Sequence, residues 1–341
     1  HSRTFYITTN GYVRDGVLDD KLRIAADVLN GVIKNSRMCP LIYKLDSKEQ
    51  AEDHSLWAMA NPSLPYLPTL KLEIEKNWME KDYDAAVKSD LYTKRFNLPM
   101  SNSVLAVTEY ENIKATNQPL LDMTGWQCVC GIDYAELSDW AAVVLHFRRG
   151  QERYDICHTW ICAQSKTLHR VRAPWKQWAD EGLVTVVQDV SISPEILTEY
   201  ISQMGTRYAI KMIALDGFRY TLIKESIARI GFDSAERKNV KLVRPSDIMK
   251  VEPVIQECFN RKLFVWGDYP PLRWAVNNTK RVPSGVKNKS GINTGNYVYA
   301  KIEEKSRKTD PFMALVAAMT VEENLGSGIA ADVPKIATFT F

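Results

Sequence analysis

No stretch of this 341-residue chain approaches the ~18 consecutive apolar residues of a membrane-spanning helix, which excludes such a span from these residues. The opening residues also lack the basic and apolar regions of a signal peptide. Charge of one sign is not in excess either. Lysine and arginine number 44 against 41 aspartate and glutamate, a formal +3, so attraction for an acidic partner must come from local clusters and not from the overall field. Six cysteines, Cys39, Cys128, Cys130, Cys157, Cys162 and Cys258, match no zinc or redox spacing and read as reduced, mostly buried thiols. Absent too is G-x-x-x-x-G-K-[ST], the loop whose backbone amides cradle a triphosphate. The run "GVKNKSG" at 285–291 has the residue types without the spacing.

What is present, 45% hydrophobic and 25% charged residues, suits a globular chain of two domains. "RTFYITTNGY" near the start is a strand-like run ending in a turn. Residues 17–35 set Leu18, Leu22, Ala25, Leu29 and Val32 on one face behind an acidic first turn, which predicts an amphipathic helix. "MCPLIYKL" predicts a short strand, "SKEQAEDHSLWAMA" a helix capped by Ser47, "NPSLPYLP" a proline-rich crossing, and residues 69–96 further helix. Periodicity fades between Asn97 and Gly125, the expected linker. This divides the chain into 1–117 and 118–341.

The second domain reads in order. "WQCVCGIDYA", "WAAVVLHFRRG" and "RYDICHTWICA" are successive strands of an antiparallel meander. Helices and strands then alternate: "LVTVVQDV", a helix opening at Ser193-Pro194-Glu195, "YAIKMIALD", "NVKLVRP" and "KLFVWG" with helices between them. A basic hairpin-like stretch at 281–301 follows, then a last helix from Pro311. The expected class is α/β, a mixed sheet (antiparallel meander, then parallel strands) flanked by helices.

Three aspartates stand where such sheets gather function. Asp133 follows the apolar run "CVCGI", Asp216 ends "KMIAL", and Asp310 precedes "PFMALVAAM". Clustered carboxylates raise their own pKa values unless a cation neutralises them. Hard divalent ions with oxygen ligands do so, and a pair of them can support in-line hydrolysis of a phosphodiester. Plainer readings stand beside this one. Asp310 and Asp216 could cap the helices that follow, Asp139 could be a turn residue and Glu136 a solvated one. Asp133 is harder to explain away, because a strand disfavours a buried acid.

Taken in order, "GIDYAELSDWAA", "ALDGFRY" and "KIEEKSRKTDPFMALVAAM" resemble the nuclease domain of the large terminase subunit of tailed bacteriophages. "FYITTNGYVRDG", "WAMANPSLPY" and "YTKRFNLPMS" resemble the end of that family's ATPase domain and its linker. The resemblance implies a ribonuclease H-like fold over 118–341, with metal on Asp133, Asp216 and Asp310 and an auxiliary acid at Asp139. Two Mg²⁺ or Mn²⁺ ions would be bound, Asp133 bridging them. It implies a metal-dependent endonuclease that cuts double-stranded viral DNA during packaging in the host cell cytoplasm. The small terminase subunit and the portal protein would be its partners, with a ring formed in the assembled motor. Residues 1–117 would then be the C-terminal remnant of a P-loop packaging ATPase without its Walker A and B motifs, and ATP hydrolysis is not expected of this chain.

Cations flank these positions. Arg148-Arg149, the run His169, Arg170 and Arg172, and Lys280, Arg281, Lys287 and Lys289 could each meet phosphate, as could Lys301, Lys305, Arg307 and Lys308. A solvated turn is the rival reading. Tryptophans, Trp175 and Trp178 among them, sit at core spacings, so no base readout and little sequence specificity are expected. Another ribonuclease H-like nuclease, such as a transposase or junction resolvase, or a non-catalytic DNA clamp in the packaging motor, remain as alternatives.

Overall fold

The computed structural model describes residues 4–10, 17–99, 106–134, 140–166, 168–285, 295–303 and 306–325. They form two compact units, His1–Tyr110 and Glu111–Phe341. Residues 116–118 belong to the second: Trp266 N donates to Thr116 O at 2.9 Å and Gly267 N to Gln118 O at 3.0 Å.

The first unit is helical: α1 (Val17–Leu29), α2 (Trp57–Ala60), α3 (Pro68–Glu80) and α4 (Ala85–Asp90), the last running on into a π-turn at Leu91–Arg95. Its core gathers Leu45, Trp57, Ile74, Leu91 and Phe96. Neither "RTFYITTNGY" nor "MCPLIYKL" forms a strand over its described residues, because an apolar run becomes a strand only with a neighbour to bond to, and Phe5, Tyr6 and Ile7 lie exposed. Ser47 caps no helix. A pair of short turns replaces the expected continuous helix, and the side chain of Asp53 accepts from Ser55 N at 2.9 Å.

The second unit follows α5 (Tyr110–Lys114) with the expected meander β1 (Gln127–Asp133), β2 (Trp140–Arg149) and β3 (Glu152–Cys162). Next come α6 (Trp175–Asp180), β4 (Val184–Val187), α7 (Pro194–Gly205), β5 (Ala209–Asp216) and α8 (Tyr220–Arg229). The chain continues through β6 (Val240–Val243), α9 (Pro245–Asn260), β7 (Phe264–Val265), α10 (Pro270–Asn277), the hairpin β8 (Thr279–Pro283) and β9 (Tyr297–Lys301), and α11 (Asp310–Met319). The main sheet runs β4-β3-β2-β1-β5-β6, with β7 also on β3. β1–β2 and β2–β3 are antiparallel, whereas β5 joins β1, and β6 joins β5, in parallel.

Alternation along β1 divides its side chains between two layers. Cys128, Cys130 and Ile132 enter the large core with Leu197, Ile201 and Ile223 from α7 and α8. Val129 faces the other way, into Ala214, Ala317, Ala318, Val321 and Leu325. Burial on both faces explains why the strand reads as a nearly unbroken apolar run.

Gly131 is where α11 crosses the strand. A Cβ there would lie 1.9 Å from Ala314 O and 2.6 Å from Ala318 N. Gly131 lies opposite Ala314 and Ala318, while Val129 meets Ala317, Ala318 and Val321, so α11 runs antiparallel to β1. The first turn of α11 therefore points toward the end of the strand that carries Asp133.

Candidate active site

At the carboxyl ends of three parallel strands lies a cleft of about 580 Å³. Asp133 ends β1, Asp216 ends β5 with Gly217 just beyond it, and Val243 ends β6 with Arg244 just beyond it; Met313, Val316 and Ala317 of α11 and Ile248 of α9 also line it. Strand ends are where an open parallel arrangement leaves room for a ligand.

Ile132 pairs with Leu215 across the parallel β1–β5 ladder, and Asp133 and Asp216 each come one residue later. Neighbouring strands stand about 4.8 Å apart, and residues in matching register share a face, here the face of Val129 and Ala214 that α11 covers. Asp133 is thus the last residue of its strand, partly buried, and not an acid sealed inside a sheet. Asp216 is exposed. Its Oδ1 accepts from Phe218 N at 2.7 Å, an Asx-turn that precedes α8. The residue before that helix is Arg219, without a side-chain cap bond, so Asp216 shapes the turn and does not cap the helix.

Asp310 differs from both. It is the first residue of α11, only 5% exposed, and the residue that precedes it, Thr309, makes no side-chain cap bond. The helix it opens walls the cleft, but Asp310 is not among the lining residues. The structure thus brings Asp133 and Asp216 into one cleft and sets Asp310 at the start of its helical wall. Among the described residues no three His, Cys, Asp or Glu side chains stand together as a metal-binding group. Asp139 and Glu136 lie outside the described residues. The donors that the cleft does offer are carboxylate oxygens on adjacent rigid strands, and this chemistry fits a hard divalent cation.

The expected phosphate contacts sort by burial. Arg281 is engaged: its Nε donates to Glu252 Oε1 at 2.7 Å and its guanidinium stands 4.3 Å from the ring of Tyr297. Lys308 is buried at 5% exposure, and its carbonyl accepts from Asn278 Nδ2 at 3.2 Å. Lys280, Lys301 and Arg307 are partly exposed, Arg149, His169, Arg170 and Arg172 more so. Lys287, Lys289 and Lys305 lie outside the described residues. Trp178 is in the core as expected, 2% exposed.

Sequence reading missed two features. Arg244 and Phe218 belong to the cleft, and the strand-end rule that found Asp216 would have found Arg244 after β6. The other is a buried polar cluster under the 3-10 turn Glu322–Leu325 that follows α11. His146 Nδ1 donates to Asp155 Oδ1 at 2.6 Å, and Trp266 Nε1 donates to Asp155 Oδ2 at 2.7 Å. Arg153 Nε stands 2.8 Å and His146 Nε2 3.6 Å from Glu322 Oε1. Burial pulls the His146 pKa down, but Asp155 and Glu322 more than reverse it, to about 9. Burial pushes Glu322 up, yet His146 and Arg153 hold it at about 2. The signal in sequence was a histidine inside the apolar run "VVLHF".

The mixed sheet, an antiparallel meander continued by parallel strands and flanked by helices, defines the class: an α/β domain of ribonuclease H-like fold. Residues 35–323 match the family of the terminase large subunit endonuclease domain, and the chain belongs to that family. The terminase large subunit of Lactococcus phage SK1 is 26% identical over 323 residues, 93% of this chain and 57% of that protein. Protein YmfN of Escherichia coli K12 is 20% identical over 92% of this chain and 69% of its own length. The crystal structure of the HK97 bacteriophage large terminase matches with a TM-score of 0.53 at 15% identity, covering 89% of this chain and 60% of that one, a likeness of fold. The chain spans a little over half the length of the phage terminases it matches.

Proposed function

We propose that this chain is the nuclease portion of a phage terminase and cuts double-stranded viral DNA during genome packaging, with little sequence specificity. The observation that carries this reading is the placement of Asp133 and Asp216 at the ends of adjacent strands in one cleft. Asp133, Asp216 and Asp310 would hold two Mg²⁺ or Mn²⁺ ions, with Asp139 auxiliary to them. Bound there, such ions lower the pKa of water and stabilise the departing oxygen. The protein holds the carboxylates rigid: two end strands of one sheet, and the third is fixed by the packing of α11 on Gly131. Arg244 at the rim supplies a positive charge for the phosphate backbone.

The small terminase subunit, the portal protein and a motor ring in the host cytoplasm belong to this proposal, as does a first unit that is the end of a packaging ATPase and does not itself hydrolyse ATP. The test is supercoiled plasmid with the full chain and Mn²⁺ or Mg²⁺. Nicking and linearisation are expected from the wild type, abolished by chelator and by Asp133→Asn. Cleavage that survives Asp133→Asn would refute this site, and absence of cleavage with either ion would refute the activity.

A further inference from the structure

Two segments remote in sequence meet beside the start of α11. Arg172 N donates to Ser306 O at 3.1 Å, which joins the turn after Leu168–Arg170 to the segment leading into Asp310. Arg172 and Arg307 are thereby brought together. Burial lowers the basicity of the Arg307 guanidinium, and the charge of Arg172 lowers it further. Nη1 of Arg307 is sealed from solvent without a hydrogen-bond partner, and neither guanidinium is ion-paired among the described residues. Glu303 acts on Arg307 in the opposite sense but more weakly than Arg172 does, and its Oε2 accepts from the Ser306 backbone N at 3.1 Å and from the Ser306 hydroxyl.

Like charges held close, one with a desolvated and unused donor, are unfavourable without a counter-charge. The surrounding segment is fixed: Ser306, Lys308, Thr309 and Asp310 are all buried, so the partly exposed Arg307 side chain is presented from a rigid base. A planar fork of donors suits a tetrahedral oxyanion, which two guanidiniums can share. Arg307 is also three residues ahead of Asp310 on the same rigid segment.

We propose that Arg172 and Arg307 form a phosphate seat that grips a backbone phosphodiester flanking the one to be cut. This rests on the nuclease reading for its role, though not for its chemistry. Unlike the surface cations, the seat would place the strand relative to the carboxylates and not merely attract it.

The test measures binding of a 30-base-pair duplex to the full chain in Ca²⁺, across a range of salt, for wild type, Arg172→Gln, Arg307→Gln and the double variant. Each single change is expected to weaken binding roughly 10-fold, the loss of one charge-assisted contact. The double variant should lose little more, because both arginines share one phosphate, and the slope of log affinity against log salt should fall by about 0.9. Arg307→Gln should also raise Tm, since it relieves the like-charge contact; packing alone would lower it. Unchanged affinity and salt slope in the double variant, or no DNA binding by the wild type, overturns the seat. Arginine-dependent binding without cleavage in Mg²⁺ or Mn²⁺ would sink the nuclease reading and leave the seat standing.

Discussion

Asp133 and Asp216 stand side by side because Ile132 and Leu215, one residue earlier on each strand, are register partners in a parallel ladder. Their separation is set by the sheet and not by side-chain choice, so either charge can be removed without moving the other. Asp216→Asn keeps an oxygen for the 2.7 Å bond from Phe218 N and loses only the charge. Plasmid cleavage should then fall by more than the roughly 10–100-fold lost when a group merely supporting a metal ligand is removed, with Tm unchanged. Asp216→Ala also removes the acceptor that closes the turn, and should cost about 1 kcal/mol besides. Equal cleavage by Asp216→Asn and wild type would exclude this carboxylate from the site.

Gly131 fixes the seat of α11 and with it the position of Asp310, the proposed third carboxylate. The backbone of α11 passes so near that an added methyl would overlap Ala314 O, and backbone cannot swing aside as a side chain can. Gly131→Ala should therefore destabilise the second unit by about 1–3 kcal/mol or more. Any protein that folds must do so with α11 displaced, and Asp310 with it. Cleavage should drop in the folded fraction, although no carboxylate is altered. Circular dichroism melts and single-turnover cleavage at matched folded concentration would check both effects; full activity would show that the site tolerates a shift of α11.

Most of the sheet was legible in the sequence, since a run such as "WAAVVLHFRRG" admits little besides a strand, and acids at run ends pointed to strand termini. What the sequence could not show depends on neighbours. Gly131 looks like any glycine in a strand until α11 lies across it. "MCPLIYKL" has the composition of a strand without a strand to pair with. Glu322 and His146 are far apart in the chain, and only the packing of α11 and its following turn onto β2 reveals that they share one buried cluster. The burial of Asp310, beside the exposure of Asp216, was likewise invisible to a reading that offered both the same alternative role, a helix cap.

Arg281 was expected to touch DNA, yet the structure gives it Glu252, 3% exposed on α9, as partner. A buried carboxylate stripped of its cation is costly, about 3–5 kcal/mol when one partner of a buried pair is removed, and less here because Arg281 itself is partly exposed. Arg281→Ala should thus lower Tm measurably, while Glu252→Gln with Arg281→Gln recovers much of the loss. If the single variant melts like wild type and only its DNA affinity falls, the pair with Glu252 is incidental and DNA is the true partner.

The buried His146 cluster sets a pH window for stability. In the folded protein His146 keeps its proton up to about pH 9, against 6.5 for the free group. Its contribution is therefore complete below about 6.5 and disappears as pH climbs toward 9. Glu322 works at the other end: held at about 2 against 4.5, it contributes above about 4.5 and loses that contribution as pH falls toward 2. Stability from this cluster should be broadest between roughly 4.5 and 6.5 and decline by a few kcal/mol on the alkaline side. His146→Gln cannot carry the charge, so it should be less stable at pH 6 and show a flatter decline from pH 6.5 to 9 than the wild type. Because Glu322 follows α11 directly, the same variant should loosen the far end of the helix whose first residue is Asp310, and hydrogen exchange along 310–325 would register it. Parallel melting curves for the two proteins across that range would mean that His146 is neutral in the folded state.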